Sequence, residues 1–163
     1  METINAAVVD SSALICIAKA EPAARAFLRE MTKVENLHIC AATHAEVILV
    51  TIASQAEGAV EAMQALISVL RIETVSFGAE DIDGYKEAAM KHHLKARPPG
   101  LLNMGDVFSF QLAMKLDLPL FFQGKDFLTT PVKNAMGILG YEMNEANLGV
   151  PTLPSPATGP TSA

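Results

Sequence analysis

The stretch AAVVDSSALICIAKAEP, residues 6–22, places an acid between a predicted strand and a predicted helix. Its four leading apolar residues predict a buried strand over about 6–10, and two serines after Asp10 open a predicted helix over 11–19. Asp10 at this junction has two interpretations. It caps the helix, because Asp and Ser accept hydrogen bonds from free helix N–H groups. Alternatively it belongs to a ligand site, because ligands of α/β proteins bind at the carboxyl ends of strands.

Apolar strands and amphipathic segments alternate along the rest of the chain. Further strands are predicted over 37–41, 71–75 and 118–122. Helices are predicted over 22–32, 43–55, 57–70, 79–95 and 103–116. Strands that alternate with helices predict an α/β fold, here an α/β/α sandwich around a short central parallel sheet of about four to five strands.

The chain of 163 residues has the length of one domain, and half of its residues are hydrophobic. We expect that domain to cover 1–148. The remaining sequence, GVPTLPSPATGPTSA at 149–163, holds four prolines and no charged side chain. Such a composition cannot bury a core, so it predicts a disordered tail.

Composition also limits the classes of function. The net charge of −6 argues against a protein that wraps nucleic acid by bulk positive charge. No apolar run reaches the ~18 residues of a membrane span, and no basic flank marks a secretory signal, so we expect a cytoplasmic protein without a membrane partner. Cys16 and Cys40 lack the spacing of metal ligands, which indicates buried free thiols.

Four acids fall at comparable points of the predicted fold: Asp10, Glu46, Asp106 and Asp126. Two follow strands and two lie near helix starts, so in a parallel sheet all four converge on one rim. Neighbouring carboxylates repel each other, and a divalent cation such as Mg²⁺ or Mn²⁺ relieves that repulsion. Ions held this way assist phosphodiester hydrolysis.

Each acid also has a purely structural interpretation. Asp106 fits a helix start, where the macrodipole favours an acid, and Asp126 fits a turn after Gly124. Glu46 is harder to explain as a surface residue, because its neighbours in AEVILV are apolar and a buried carboxylate needs a partner.

Three motifs together resemble a known family. VVDSSALICIAKAEPAARAFL, AATHAEVILV and LNMGDVFSFQLAMKLDLPLFFQGKDF are similar, in content and order, to segments of PIN-domain ribonucleases, and more narrowly of VapC-type toxins of type II toxin–antitoxin pairs. The resemblance covers about residues 5–135. Gln123 and Lys125 depart from the loop pattern of the family, and the Pro-rich tail lies outside its core.

The resemblance implies a function and a set of residues. The four acids match the catalytic quartet that binds Mg²⁺ or Mn²⁺, with Asp10 and Asp106 as the main direct ligands and Glu46 and Asp126 acting through water. Ser12 and Asn103 match supporting positions beside the first and third acids. The implied activity is hydrolysis of RNA, with transfer RNA or ribosomal RNA as substrate, and the implied partners are a VapB-type antitoxin and a second copy of the chain.

Positive charge near the predicted rim is local. Lys91, Lys95 and Arg97 precede the third acid, and Lys125 adjoins the fourth, so all four are candidates for contacts with RNA phosphates. The other interpretation is a solvated helix end and a solvated turn. The adjacent His92 and His93 point about 100° apart on a helix and are not assigned to the metal. The alternative function is a non-catalytic PIN-like module that binds RNA or a partner.

Overall fold

The computed structural model describes residues 3–93, 102–144, 147 and 149–154. In this part of the chain four parallel strands form one sheet in the order β3-β2-β1-β4. The strands are β1 (Ala6–Val9), β2 (Asn36–Cys40), β3 (Ile72–Val75) and β4 (Leu120–Phe121). The helices are α1 (Ser11–Ala18), α2 (Ala24–Met31), α3 (Ala41–Ala53), α4 (Ala59–Val69), α5 (Ile82–His92), α6 (Met104–Leu116) and α7 (Ala135–Ile138).

Alternating side chains of the central strands divide the core into two layers. Ala7 and Val9 of β1 pack with α1, α2, α4 and α7, whereas Val8 packs on the opposite face with α5 and α6. Leu120 and Phe121 of β4 alternate in the same way. A parallel strand covered on both faces is apolar throughout, as β1 is. The predicted α/β/α sandwich is therefore confirmed.

Hydrogen bonds hold β1 at the centre of the sheet. It pairs with β2 from Ala6 opposite Asn36 to Val8 opposite His38, and its other edge pairs with β4. The Asp10 amide donates to the Phe121 carbonyl at 2.9 Å, which extends the pairing one residue past the strand. The sheet itself therefore fixes the backbone of Asp10.

The structure modifies several predicted boundaries. The third helix begins at Ala41, directly after β2, and β4 is two residues long rather than five. The described sheet has four strands, within the predicted four to five, and an isolated parallel bridge joins Leu120 of β4 to Asn134. The predicted helix over 79–95 divides into a 3-10 turn (Ala79–Asp81) and α5, and 94–101 lie outside the described residues.

The first residues of the predicted tail are among those described. Gly149 and Pro151 are buried, and Thr152 pairs with Glu142 through amide–carbonyl bonds of 2.7 and 3.1 Å. Residues 155–163 lie outside the described part, so a disordered tail stays a prediction for them. Cys16 and Cys40 are buried free thiols, as predicted, and burial together with the charge of Glu21 raises the pKa of Cys16 to about 12.

A buried carboxylate ties α2 to the end of the domain. Glu30 is buried, and it accepts hydrogen bonds from the Tyr141 hydroxyl at 2.9 Å, from Lys33 at 2.7 Å and from Arg29 at 2.9 Å. Burial alone would raise the pKa of Glu30, but the bonds from Lys33, Arg29 and Tyr141 outweigh it and leave the pKa below its usual value.

The Glu30 network predicts a pH-dependent stability. An acid whose pKa is lowered by folding stabilises the protein above its unfolded pKa of about 4.3, and this contribution is lost as the pH falls through the lower folded value. We expect Glu30→Gln to lower the melting temperature at pH 7, and the deficit to shrink progressively below about pH 4. Thermal melts from pH 3 to 8 test this, and a deficit that stays constant down to pH 3 would contradict it.

Candidate metal centre

The four predicted acids come from four separate segments and meet at the carboxyl end of the sheet. Asp10 follows β1, Glu46 lies in α3 directly after β2, and Asp126 lies in the loop after β4. Asp106 lies in the first turn of α6, which packs against α3 and β1. Asp10 and Asp106 are buried, Glu46 is partly buried, and Asp126 is exposed.

Asp10 fulfils both of its interpretations at once. Its Oδ2 atom caps α1, because it accepts from the Ser12 amide at 3.0 Å and from the Ser12 hydroxyl at 2.6 Å. Its Oδ1 atom is buried and has no hydrogen-bond partner among the residues that the structure describes. A buried carboxylate oxygen without a partner is costly unless a ligand satisfies it. The cap therefore orients the carboxylate and leaves one oxygen free.

Asp106 is likewise held at a helix start, that of α6. Asn103 and Asp106 form a capping box. The backbone N–H of Asn103 donates to Asp106 Oδ2, and the backbone N–H of Asp106 donates to Asn103 Oδ1, both at 2.9 Å. The supporting position predicted for Asn103 thus has a physical function, since it fixes the Asp106 side chain.

Gly105 makes room for Glu46. A Cβ atom at Gly105 would lie 2.6 and 2.7 Å from the two carboxylate oxygens of Glu46, far inside normal contact. One oxygen of Glu46, Oε2, is buried without a hydrogen-bond partner. The Gly-Asp pair of the sequence therefore brings the backbone of α6 close to an acid of α3.

The pKa values show that the acids share one electrostatic environment. Burial, then the charge of Asp10, and then those of Asp126 and Glu46 raise the pKa of Asp106 to about 7, against one lowering bond from Asn103. Burial and the charge of Asp10 also raise the pKa of Glu46, which a contact with the Ser11 hydroxyl partly offsets. Such mutual destabilisation of carboxylates is relieved by a bound cation.

The donor atoms suit a hard divalent cation, although the acids do not form a complete set of metal ligands in the described structure. Oxygen donors only, two of them buried without partners, match the preference of Mg²⁺ and Mn²⁺. Across residues 3–93, 102–144, 147 and 149–154, no three His, Cys, Asp or Glu side chains already stand as a set that could hold a metal ion.

Gln123 and Glu21 lie beside the acids, and their sequence positions indicated no structural function for either of them. The Gln123 amide donates to the Ser12 hydroxyl at 3.0 Å, so Ser12 links the first acid to the loop that carries Asp126. The Gln123 side chain donates to Glu21 Oε2 at 2.5 Å. Glu21 lies near the end of the stretch 6–22, and Gln123 departs from the loop pattern of the family, but the sequence alone did not connect the two residues.

The candidate RNA-binding residues have different outcomes. Lys91 lies on α5 and forms an ion pair with Glu87 at 2.6 Å. Lys125 is exposed beside Asp126. Lys95 and Arg97 lie outside the described residues. A cavity of about 630 Å³ between α5 and α6 is lined by Lys91, and none of the four acids lines it.

Comparison with known proteins identifies related chains. The sequence pattern of the PIN domain family matches residues 7–133. The VapC ribonuclease Mb0640 of Mycobacterium bovis is 32% identical over 128 residues, which make up 77% of this chain and 95% of that protein.

Solved structures share the fold at low identity. VapC20 of Mycobacterium tuberculosis, described as a sarcin-ricin loop cleaving toxin, aligns with a TM-score of 0.62 at 15% identity, over 77% of this chain and 95% of that one. A VapBC2 chain from Rickettsia felis, in a complex bound to promoter DNA, aligns with a TM-score of 0.59 at 17% identity, over 79% and 96%.

The contact between Gly105 and Glu46 predicts that a substitution at Gly105 changes the geometry of the acids without unfolding the protein. We expect Gly105→Ala to stay folded, since Ala favours a helix by up to about 1 kcal/mol and Glu46 has a flexible side chain that moves away. The moved carboxylate should weaken Mn²⁺ binding, measured by titration with electron paramagnetic resonance detection. The control is Gly137→Ala in α7, where the added Cβ makes only ordinary contacts. Equal Mn²⁺ binding in both variants would contradict the geometry.

Proposed function

The chain belongs to the PIN-domain family, as one of the VapC ribonucleases of toxin–antitoxin systems, and on this basis we propose that its four acids hydrolyse RNA phosphodiester bonds with Mg²⁺ or Mn²⁺. The observation that carries the proposal is the pair of buried, partnerless oxygens, Asp10 Oδ1 and Glu46 Oε2, at the rim where Asp106 also lies. They are the groups that a cation would satisfy.

Each acid has a distinct task in this proposal. Asp10 and Asp106 hold the cation directly, because their helix caps fix the two carboxylates and burial keeps water from competing. A bound cation supplies Lewis acidity toward water and a phosphate oxygen. Glu46, whose pKa is raised, accepts a proton from the attacking water, and Asp126 at the exposed edge orients that water.

The substrate and partners follow the same family basis. We take the substrate to be a structured RNA, transfer RNA or ribosomal RNA, and the site of action to be the cytoplasm. A VapB-type antitoxin inhibits the enzyme by covering the acidic rim. Lys125 beside Asp126 supports phosphate positioning at the rim, while Lys91, paired with Glu87, contributes less. Among the described residues, no helix is long and apolar enough to cross a membrane.

The test of catalysis uses two Asp→Asn variants of one helix. We expect Asp106→Asn to lose at least about 100-fold of the RNA cleavage rate, the lower range for a group that stabilises transition-state charge. Asp117→Asn is the control, because Asp117 ends α6, is 86% exposed and adopts a left-handed conformation that Asn tolerates. Cleavage of total RNA with Mn²⁺ and with chelator measures both.

Stability separates loss of chemistry from loss of fold in the same variants. Because folding raises the pKa of Asp106 to about 7, its carboxylate destabilises the protein above the unfolded pKa of about 3.9. Asp106→Asn should therefore melt at a higher temperature than the parent at pH 8 without metal, and the gain should vanish near pH 4. Full cleavage by Asp106→Asn would overturn the assignment of Asp106, whereas a parent that binds RNA with Mn²⁺ but does not cleave it would favour the non-catalytic binding module.

Exposed apolar side chains support a partner surface on α3 and α4. Leu49 and Ile52 of α3 are 65% and 56% exposed, and Val69 of α4 is 74% exposed. Isolated apolar residues are common at surfaces, but Leu49 and Ile52 lie three residues apart on one face of α3, which supports an interface there. We assign this surface to a second copy of the chain.

The proposed homodimer has a direct test. Light scattering after size exclusion should give twice the 17.3 kDa chain mass for the parent. Ile52→Glu should give the mass of one chain, because a charge would be buried in the interface. Met90→Glu on α5, a position 42% exposed, is the control and should remain dimeric. A monomeric parent, or a dimeric Ile52→Glu variant, would contradict the assignment.

A further inference from the structure

The loop that carries Asp126 is held from two sides. Residues 123–126 follow β4, and their last two residues are exposed. On the side of α1, the Gln123 amide and side chain donate to Ser12 and Glu21. On the opposite side, the Gly124 amide donates to the Gly149 carbonyl at 3.2 Å. The second contact comes from a segment beyond residue 133, where the family match ends.

The contact between the two glycines tolerates no side chain. Gly149 adopts a φ of +68°, and a Cβ atom there would lie 1.9 Å from the Gly124 carbonyl oxygen and 2.9 Å from the Lys125 amide nitrogen. Both obstacles are backbone atoms, which cannot rotate away as a side chain can. Any larger residue at 149 must therefore displace either the C-terminal segment or the loop that carries Asp126.

The described residues of the C-terminal segment, 141–144, 147 and 149–152, are themselves anchored to the domain. Tyr141 is buried, and its hydroxyl donates to the buried Glu30 at 2.9 Å. Glu142 and Thr152 pair through their backbones and close the segment. The Gly149 amide donates to the Asn144 carbonyl at 2.9 Å, inside the closed part. The segment is thus positioned independently of the loop that it touches.

We propose that Gly149 is a positioning residue for Asp126: the C-terminal segment braces residues 123–126 so that the fourth acid stays beside Asp10 and Asp106. The proposal rests on the proposed metal-dependent activity and adds to it a part of the chain outside the matched family core. Asp126 has no burial of its own to fix it, so the backbone of its loop determines its distance from the other acids.

The test compares two glycines of nearly equal conformation. Gly58 has a φ of +71° and nothing within 4 Å of an added Cβ, so Gly58→Ala introduces the same backbone strain as Gly149→Ala without the clash. We expect Gly149→Ala to weaken Mn²⁺ binding and to lower kcat by about tenfold, with KM little changed, as loss of outer support for metal ligands does. Gly58→Ala should match the parent in both measurements.

A double-mutant cycle identifies Asp126 as the residue affected. In an Asp126→Asn background, Gly149→Ala should cause little further loss of Mn²⁺ binding, because the carboxylate that it displaces is already removed. A full additional tenfold loss would show that Gly149 acts elsewhere and would overturn the proposal. Equal Mn²⁺ binding by Gly149→Ala and Gly58→Ala would also overturn it.

A readout without metal or RNA separates this proposal from the proposed function. Hydrogen exchange should rise in the peptide that covers 123–126 in Gly149→Ala but not in Gly58→Ala. If Gly149→Ala fails to fold, Thr152→Pro replaces it, since it removes the amide that donates to Glu142 and loosens the same segment. Unchanged exchange at 123–126 in a folded variant overturns the proposal, whereas a parent that neither binds Mn²⁺ nor cleaves RNA refutes the proposed function alone.

Discussion

The pairing of β1 at the centre of the sheet is the constraint on which the rest of the structure depends. Two neighbours hold this strand, and the bond from the Asp10 amide to Phe121 extends the sheet to the first acid. Because the position of Asp10 is fixed there, its carboxylate caps α1 with one oxygen and leaves the other buried without a partner. The parallel direction of all four strands then brings the elements that carry the other acids to the same edge.

Crowded carboxylates oppose folding, and the structure compensates for them locally. Backbone N–H groups at the starts of α1 and α6 donate to Asp10 and Asp106, and the bond from Asn103 acts to lower the pKa of Asp106. These bonds are not sufficient, since the pKa of Asp106 still rises to about 7. The carboxylate cluster is therefore unfavourable in the folded chain, and two apolar layers together with networks such as that of Glu30 provide stability that offsets it.

The sequence was sufficient to predict the sheet, the sandwich and the rim of acids, because each depends on short-range patterns and on the geometry common to parallel sheets. It could not predict which carboxylate oxygens of Asp10 and Asp106 accept hydrogen bonds at the helix starts, since that depends on side-chain orientation. Nor could it pair Gly149 with Gly124 or Tyr141 with Glu30, because contacts between distant residues leave no local pattern. The family resemblance ended near residue 135, and the C-terminal segment that contacts the Asp126 loop lies beyond that residue.

The four acids share one electrostatic environment, and the pKa of Asp106 is the property that responds most strongly to it. Carbon-13 NMR titration of the Asp106 carboxyl in metal-free protein, in the parent and in Asp10→Asn, measures this value. The structure predicts a pKa near 7 in the parent, as the charges and burial require, and a clear decrease when Asp10 is neutralised. A pKa close to the usual value of about 3.9 in both proteins would contradict the convergence of the acids, and with it the proposed metal centre.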